Sequence, residues 1–249
     1  MFFFLALCAL SSALQAESSR FRDILDTSYI GYSDDVRFVK LENVFLYSLT
    51  PKYIPELRLT VTNLDDGSGG DSQTRTLFQL GSVIIFVPNV YGEFVYGVWR
   101  NSDSTVAHEG FAEITRETDS MLASFRFKGG YDKGTDILYL TPDASYMRRF
   151  NDLYSAKAKY FLGYNTDSYL SHSLQLENGF TFLENYSATA ITTGILETID
   201  GETAPLWSAG ARLEATCKKQ LTVKYLILYH ALRDDRWGLE NGITVDWKF

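Results

Sequence analysis

Apolar and polar residues alternate with a period of two along most of this chain, the signature of strands with one face in an apolar medium and one in a polar medium. Segment 237–249 shows it most cleanly. Trp237, Leu239, Ile243, Val245, Trp247 and Phe249 share one face, broken by Asn241; Gly238, Glu240, Gly242, Thr244, Asp246 and Lys248 share the other. In 153–164, Tyr154, Ala156, Ala158, Tyr160, Leu162 and Tyr164 oppose Ser155, Lys157, Lys159 and Gly163, with Phe161 as the exception. Segments 57–62, 168–183, 205–217 and 219–231 repeat the pattern, and no convincing period of 3.6 follows residue 34. Soluble strands usually run about 5–6 residues, whereas a tilted strand needs roughly 9–11 to cross a bilayer.

Turn signals divide the chain regularly and fall into two alternating sets. One is acidic or glycine-rich, at 33–35, 65–71, 101–104, 132–134, 165–167, 200–202 and 234–235. The other is tighter, at 50–53, 88–89, 118–119, 151–152, 184–185 and 218–219. The first set is expected to form outer loops and the second periplasmic turns. Counting back from the end gives thirteen strands from about residue 36, and a weaker strand near 26–33 makes fourteen. The predicted fold is therefore all-β, a closed antiparallel up-and-down transmembrane barrel. Closure satisfies every backbone polar group, as hydrocarbon demands, and an even count suits a single-chain bacterial barrel. Fourteen strands is the preferred number. Twelve is the alternative, because Pro142 and the uneven pattern of 134–150 obscure one hairpin.

Residues 2–10 form an apolar run too short to span a bilayer as a helix. With the small and polar residues after it, the run predicts a signal peptide over 1–16 and a single barrel domain over 17–249. No basic residue precedes the run, and Leu14 is large for its place before Ala16; both depart from the usual pattern. Cys217 is the one cysteine beyond the leader, so neither an intramolecular disulfide nor a cysteine-based metal site is expected. A net charge of −8 argues against a nucleic-acid partner.

These features together resemble Gram-negative-type outer-membrane β-barrels in general. The absence of a periplasmic domain and the tyrosine-rich strands also look like the YaiO-type barrel family. In the wider class a terminal Phe with apolar residues at alternate preceding positions serves as the assembly signal. The resemblance thus assigns that role to Ile243, Val245, Trp247 and Phe249, with Asn241 standing where an aromatic is frequent. It implies outer-membrane lipid and the barrel assembly machinery as partners, and a monomer.

Some such barrels are enzymes, which makes the three histidines worth weighing. Ser171, His172 and Ser173 do not make a nucleophile–base pair, because adjacent strand residues point to opposite faces; His172 reads as an interface residue. His108 beside Glu109, and His230 near Asp234 and Asp235, are ordinary neighbours by chance. Loop 64–71 offers oxygen ligands but not the spacing of a calcium loop. No catalytic residue, metal or cofactor is expected.

The polar face carries the remaining chemistry. Arg58, Arg126, Lys128, Lys157, Lys159, Glu177, Arg212, Glu214 and Lys224 are expected to project into the lumen and to set selectivity. In one reading opposite charges pair across the interior and plug it. In the other, the basic residues at 126, 128, 157 and 159 line a hydrated pore whose field favours anions. A barrel this wide has more interior than side chains readily fill, which favours a small porin-like channel for hydrophilic solutes, anions among them. The alternative is a non-conducting structural or surface-binding barrel that presents its acidic loops.

Overall fold

The computed structural model describes residues 20–67, 72–101, 105–183, 185–217 and 220–248. The predicted signal peptide 1–16, Phe249 and residues 68–71 of the 64–71 loop lie outside them. Fifteen strands follow one another in the described residues: β1 Phe21–Tyr32, β2 Arg37–Tyr47, β3 Tyr53–Asp65, β4 Gln73–Val87, β5 Val90–Asn101, β6 Val106–Thr118, β7 Met121–Asp132 and β8 Ile137–Leu140, then β9 Asp143–Arg149, β10 Tyr154–Asn165, β11 Tyr169–Leu183, β12 Tyr186–Ile199, β13 Glu202–Cys217, β14 Leu221–Ala231 and β15 Trp237–Lys248. Apart from β8 and β9, sequence neighbours pair antiparallel, and β1 pairs with β15 from Arg22–Lys248 to Tyr32–Gly238, which closes the ring.

β8 and β9 are two pieces of one stave. Both lie between β7 and β10, so the barrel has fourteen staves. Pro142 has no N–H to give the ladder, and the stave breaks there. The seam is still closed: Thr141 N–H donates to the Lys128 carbonyl at 2.8 Å and Leu162 N–H donates to the Pro142 carbonyl at 3.0 Å. The preferred count of fourteen is the observed one, and the uneven pattern of 134–150 has its cause in this break. The weak first strand is longer than 26–33 suggested, beginning at Phe21. Its pattern is faint because both faces are mixed, Ile24 and Ile30 beside Asp26 and Ser28 on the inside, Asp23 and Thr27 beside Leu25 on the outside.

The wall is apolar outside and polar inside. Gln79 is 4 % exposed while its neighbour Leu80 is 60 % exposed, and Glu56, Glu109, Asp143 and Glu177 are all buried. A water-soluble barrel would place these groups the other way round. Aromatic side chains ring both rims, as membrane barrels require. At one end Trp207, Tyr229 and Trp237 run in series, with centroids 5.4 and 6.2 Å apart. At the other, Phe150, Tyr154 and Phe180 do the same at 5.3 and 5.1 Å.

The two turn sets occupy opposite ends. Where β1 begins and β15 ends is here the near end; the acidic loops occupy the far end. Left-handed backbone at Asp35, Asp136, Asp200, Asp234 and Asp235 lies in the far loops, a conformation that Asp tolerates better than bulkier residues. Asp34 in the first of these loops binds Arg236 in the last at 2.7 Å. The guanidinium holds the Asp34 carboxyl below its ordinary range.

Candidate functional site

Alternate residues of each strand face the lumen, so the site is built by parity first and by register second. On β6, Glu109, Phe111, Glu113, Thr115 and Glu117 point inward; on β7, Ser124, Arg126 and Lys128 do. Two cavities lie against the β1–β7 side of the wall. The far cavity holds about 440 Å³ and includes Arg75, Trp99, Glu109, Phe111, Arg126 and Lys128 in its lining. The near cavity holds about 590 Å³ and includes Arg22, Asp26, Glu56, Tyr91, Glu93 and Glu117. Lys40, Glu42 and Arg58 line both and so mark the junction.

Arg58 is the centre of that junction. Its guanidinium donates to Glu56 and Glu93 and lies 3.5 Å from Glu42. It also sits 5.2 Å from the centroid of Phe111, whose other approach is Arg126 at 5.8 Å, the geometry of cation–π contacts. To reach Glu93 on β5, Arg58 on β3 passes β4 between the positions of Gln79 and Val83. The lumen-facing residue there is Gly81, which puts no side chain in the way.

The other predicted lumen residues also face inward, but most are partnered. Arg126 and Lys159 share Asp143, at 2.6 and 3.3 Å. Lys128 binds Glu109 at 3.0 Å, and the Tyr139 hydroxyl donates to the same carboxylate at 2.7 Å. Arg212 binds Glu177 at 2.9 Å, and Lys224 binds Glu214 at 3.3 Å. Lys157 stands opposite Glu177 in register yet has no ion-pair partner among the described residues. Phe161, the exception to the alternation, lies inside under the Lys159 ammonium at 4.4 Å.

These ion pairs share a feature that sequence parity does not reveal. Each lies within one strand, or joins neighbouring strands or strands two places apart: Arg58–Glu56 within β3, Arg22–Asp246 across the seam, Arg58–Glu93 across β4, Arg212–Glu177 across β12. Among the described residues no ion pair spans the barrel's diameter. The charges coat the wall and leave its middle unbridged.

The histidines are placed as their faces predict. His108 and His172 lie on the outer surface, where each ring Nδ1 meets a tyrosine hydroxyl, Tyr96 at 2.7 Å and Tyr160 at 2.6 Å. The wall separates His108 from the inward-facing Glu109. His230 faces the lumen and contacts Glu240 at 3.1 Å. No group of three or more metal-binding side chains occurs among the described residues.

A closed fourteen-stave barrel, apolar outside and charged inside, is a transmembrane β-barrel of the outer-membrane type. Solved structures of that type share the fold. A bacterial polysaccharide outer-membrane secretin superposes with a TM-score of 0.66 at 9 % identity, over 94 % of this chain and 100 % of that one. The CymD monoaromatic hydrocarbon channel gives 0.62 at 10 % identity, over 99 % and 92 %. The toluene transporter TodX of Pseudomonas putida gives 0.60 at 9 %, over 95 % and 90 %. No family model and no curated protein matches the chain, and the narrower likeness to the YaiO-type barrels is not confirmed.

Proposed function

We propose that this protein is a monomeric outer-membrane channel that passes small hydrophilic solutes through a charged, water-filled lumen. The carrying observation is that its ion pairs run along the wall and leave the centre of the barrel unbridged. Two cavities that share Lys40, Glu42 and Arg58 lie in series along one side of the lumen, in line with such a route. The charged wall suits water, and a solved barrel of like fold that is named as a channel, for monoaromatic hydrocarbons, supports a channel without supporting the hydrophilic solute. The acidic loops would face the cell exterior and the termini the periplasm, with Ile243, Val245 and Trp247 on the outer face of β15 engaged by the assembly machinery. No catalytic role is assigned to any residue.

The sequence pattern favoured anions through Arg126, Lys128, Lys157 and Lys159. Carboxylates match three of these, so their joint pull on anions is weakened. Refolded protein that shifts mobility on heating should give discrete conductance steps in planar bilayers. A folded barrel with no conductance above a protein-free control would overturn the channel reading. The Arg58 cluster favours a second reading, a barrel closed at the junction that works by presenting its outer loops. Loss of partner binding on replacing 64–73 would support that one.

A further inference from the structure

The outer wall is hollowed between β5 and β8. Gly110 on β6 and Gly129 on β7 face each other in register, and alternation points both outward. Tyr96 of β5 stands opposite Gly110, and Leu140 of β8 stands opposite Gly129. The two middle strands therefore present no side chain at this level, while their neighbours present large ones. The result is an open groove of about 520 Å³ that includes Tyr96, His108, Ala112, Phe127, Tyr131 and Leu138 in its lining. The polar groups on this outer face already have partners. The Tyr96 hydroxyl meets His108 Nδ1 at 2.7 Å, and the Tyr131 hydroxyl donates to Asp136 at 2.7 Å. What the groove offers a ligand is contact for hydrocarbon.

The rim above it is basic. Trp99 and Asp132 line a lumen cavity, so by alternation Arg100 and Lys133 point outward. Arg100 stands opposite Val106, and Lys133 N–H donates to the Val106 carbonyl at 3.2 Å. The two cations thus flank one valine, two strand spacings or about 10 Å apart, and their long side chains can converge on one phosphate. Both are exposed, and neither has an ion-pair partner among the described residues. From Val106 down to Ala112, β6 runs about 20 Å at roughly 3.4 Å per residue. At a tilt of about 40° that is about 15 Å of depth, half of a hydrocarbon core about 30 Å thick. Groove and rim together span one leaflet, from headgroup level to midplane.

We infer that the groove holds one phosphate-bearing lipid of the far-end leaflet, with an acyl chain over Gly110 and Gly129 and the phosphate between Arg100 and Lys133. Beyond the general contact that an apolar wall makes with any lipid, this is a site of fixed length with charge at its top. Arginine and lysine both suit phosphate, arginine through its forked donors. A second copy of this chain fits the face less well. A two-fold contact sets the same patch against itself, which brings like cations together at the rim, and like charges so placed cost several kcal/mol. With the acidic loops at the cell exterior, the leaflet is the outer one. The site depends on the barrel's place in the membrane and is independent of the channel reading.

The test is native mass spectrometry of the detergent-solubilised barrel, titrated with diphosphoryl lipid A, an acylated glycolipid bearing phosphate, and separately with phosphatidylcholine. One lipid A should stay bound per barrel, at least about tenfold tighter than phosphatidylcholine, whose choline offsets the phosphate charge. The double variant Arg100→Ser, Lys133→Ser should weaken lipid A at least about fivefold and leave phosphatidylcholine unchanged. Ala112→Phe fills the lower groove and should weaken both lipids. All three positions are exposed on the wall or rim, and the comparison of the two lipids on the unaltered protein needs no variant to fold. Equal retention of the two lipids, or affinities unchanged in both variants, would overturn the site. Displacement of lipid A by millimolar inorganic phosphate alone would reduce it to an anion contact with no role for the groove, and so overturn it too. Dimers that exclude lipid A would overturn it in favour of a contact between copies. Each outcome is read without conductance, so failure of the lipid site and failure of the channel reading are distinguishable.

Discussion

Gly130 and Tyr139 face each other across β7 and β8, both directed into the lumen. A Cβ at 130 would meet the Tyr139 hydroxyl and the His108 carbonyl oxygen, so the ring lies where only glycine admits it. From there its hydroxyl reaches Glu109. Gly130→Ala should therefore destabilise the barrel by about 1–3 kcal/mol, the usual cost of overpacking, in urea unfolding from lipid vesicles. Adding Tyr139→Ala should recover part of that loss and not all, because the His108 carbonyl remains; full additivity would deny the contact. At this scale the sequence was half legible. Parity told which face His172 and Lys157 occupy. It did not tell that His172 meets Tyr160, or that Arg58 meets Glu93, since both partnerships depend on register between strands.

Strands were the most legible elements, because a period of two survives wherever one face meets lipid and the other meets charge. The pattern failed where physics relaxed it, at β1 with its mixed faces and at the Pro142 break. Sidedness itself is testable on β11, where Leu174 and Leu176 face out and Gln175 faces in. Arginine at 176 should cost about 2–4 kcal/mol if that position lies near the bilayer midplane, and arginine at 175 much less. Equal costs in vesicle unfolding would refute the assigned faces. The loops give a pH prediction. Because Arg236 lowers the Asp34 carboxyl's folded-state value, the tie contributes above the ordinary carboxylate value of about 3.9 and is lost as pH falls through the lowered value. Backbone amides of 33–36 should keep the same exchange protection from pH 7 to about 4 and lose it below. In Arg236→Ala that protection should already be reduced at pH 7; an identical profile in the variant would rule out the tie.

For the whole molecule, the missing information was height. Alternation assigns each charge to the lumen but not to a depth within it, and depth follows from the shear that closure imposes on fourteen staves. This is why the nine predicted lumen residues gave no hint that Glu42, Glu56 and Glu93, from three different strands, gather on Arg58. The junction predicts its own perturbation. Arg58→Ala removes the side chain that lies over Phe111 and the counter-charge shared by Glu42, Glu56 and Glu93. Single-channel conductance should rise about twofold and selectivity should move toward cations, since a wider passage would then be ringed by carboxylates. Arg58→Lys keeps the charge and loses the forked contacts, and should fall between. If both variants migrate as folded barrels and conduct like the unaltered protein, the narrowest point of the lumen lies away from Arg58.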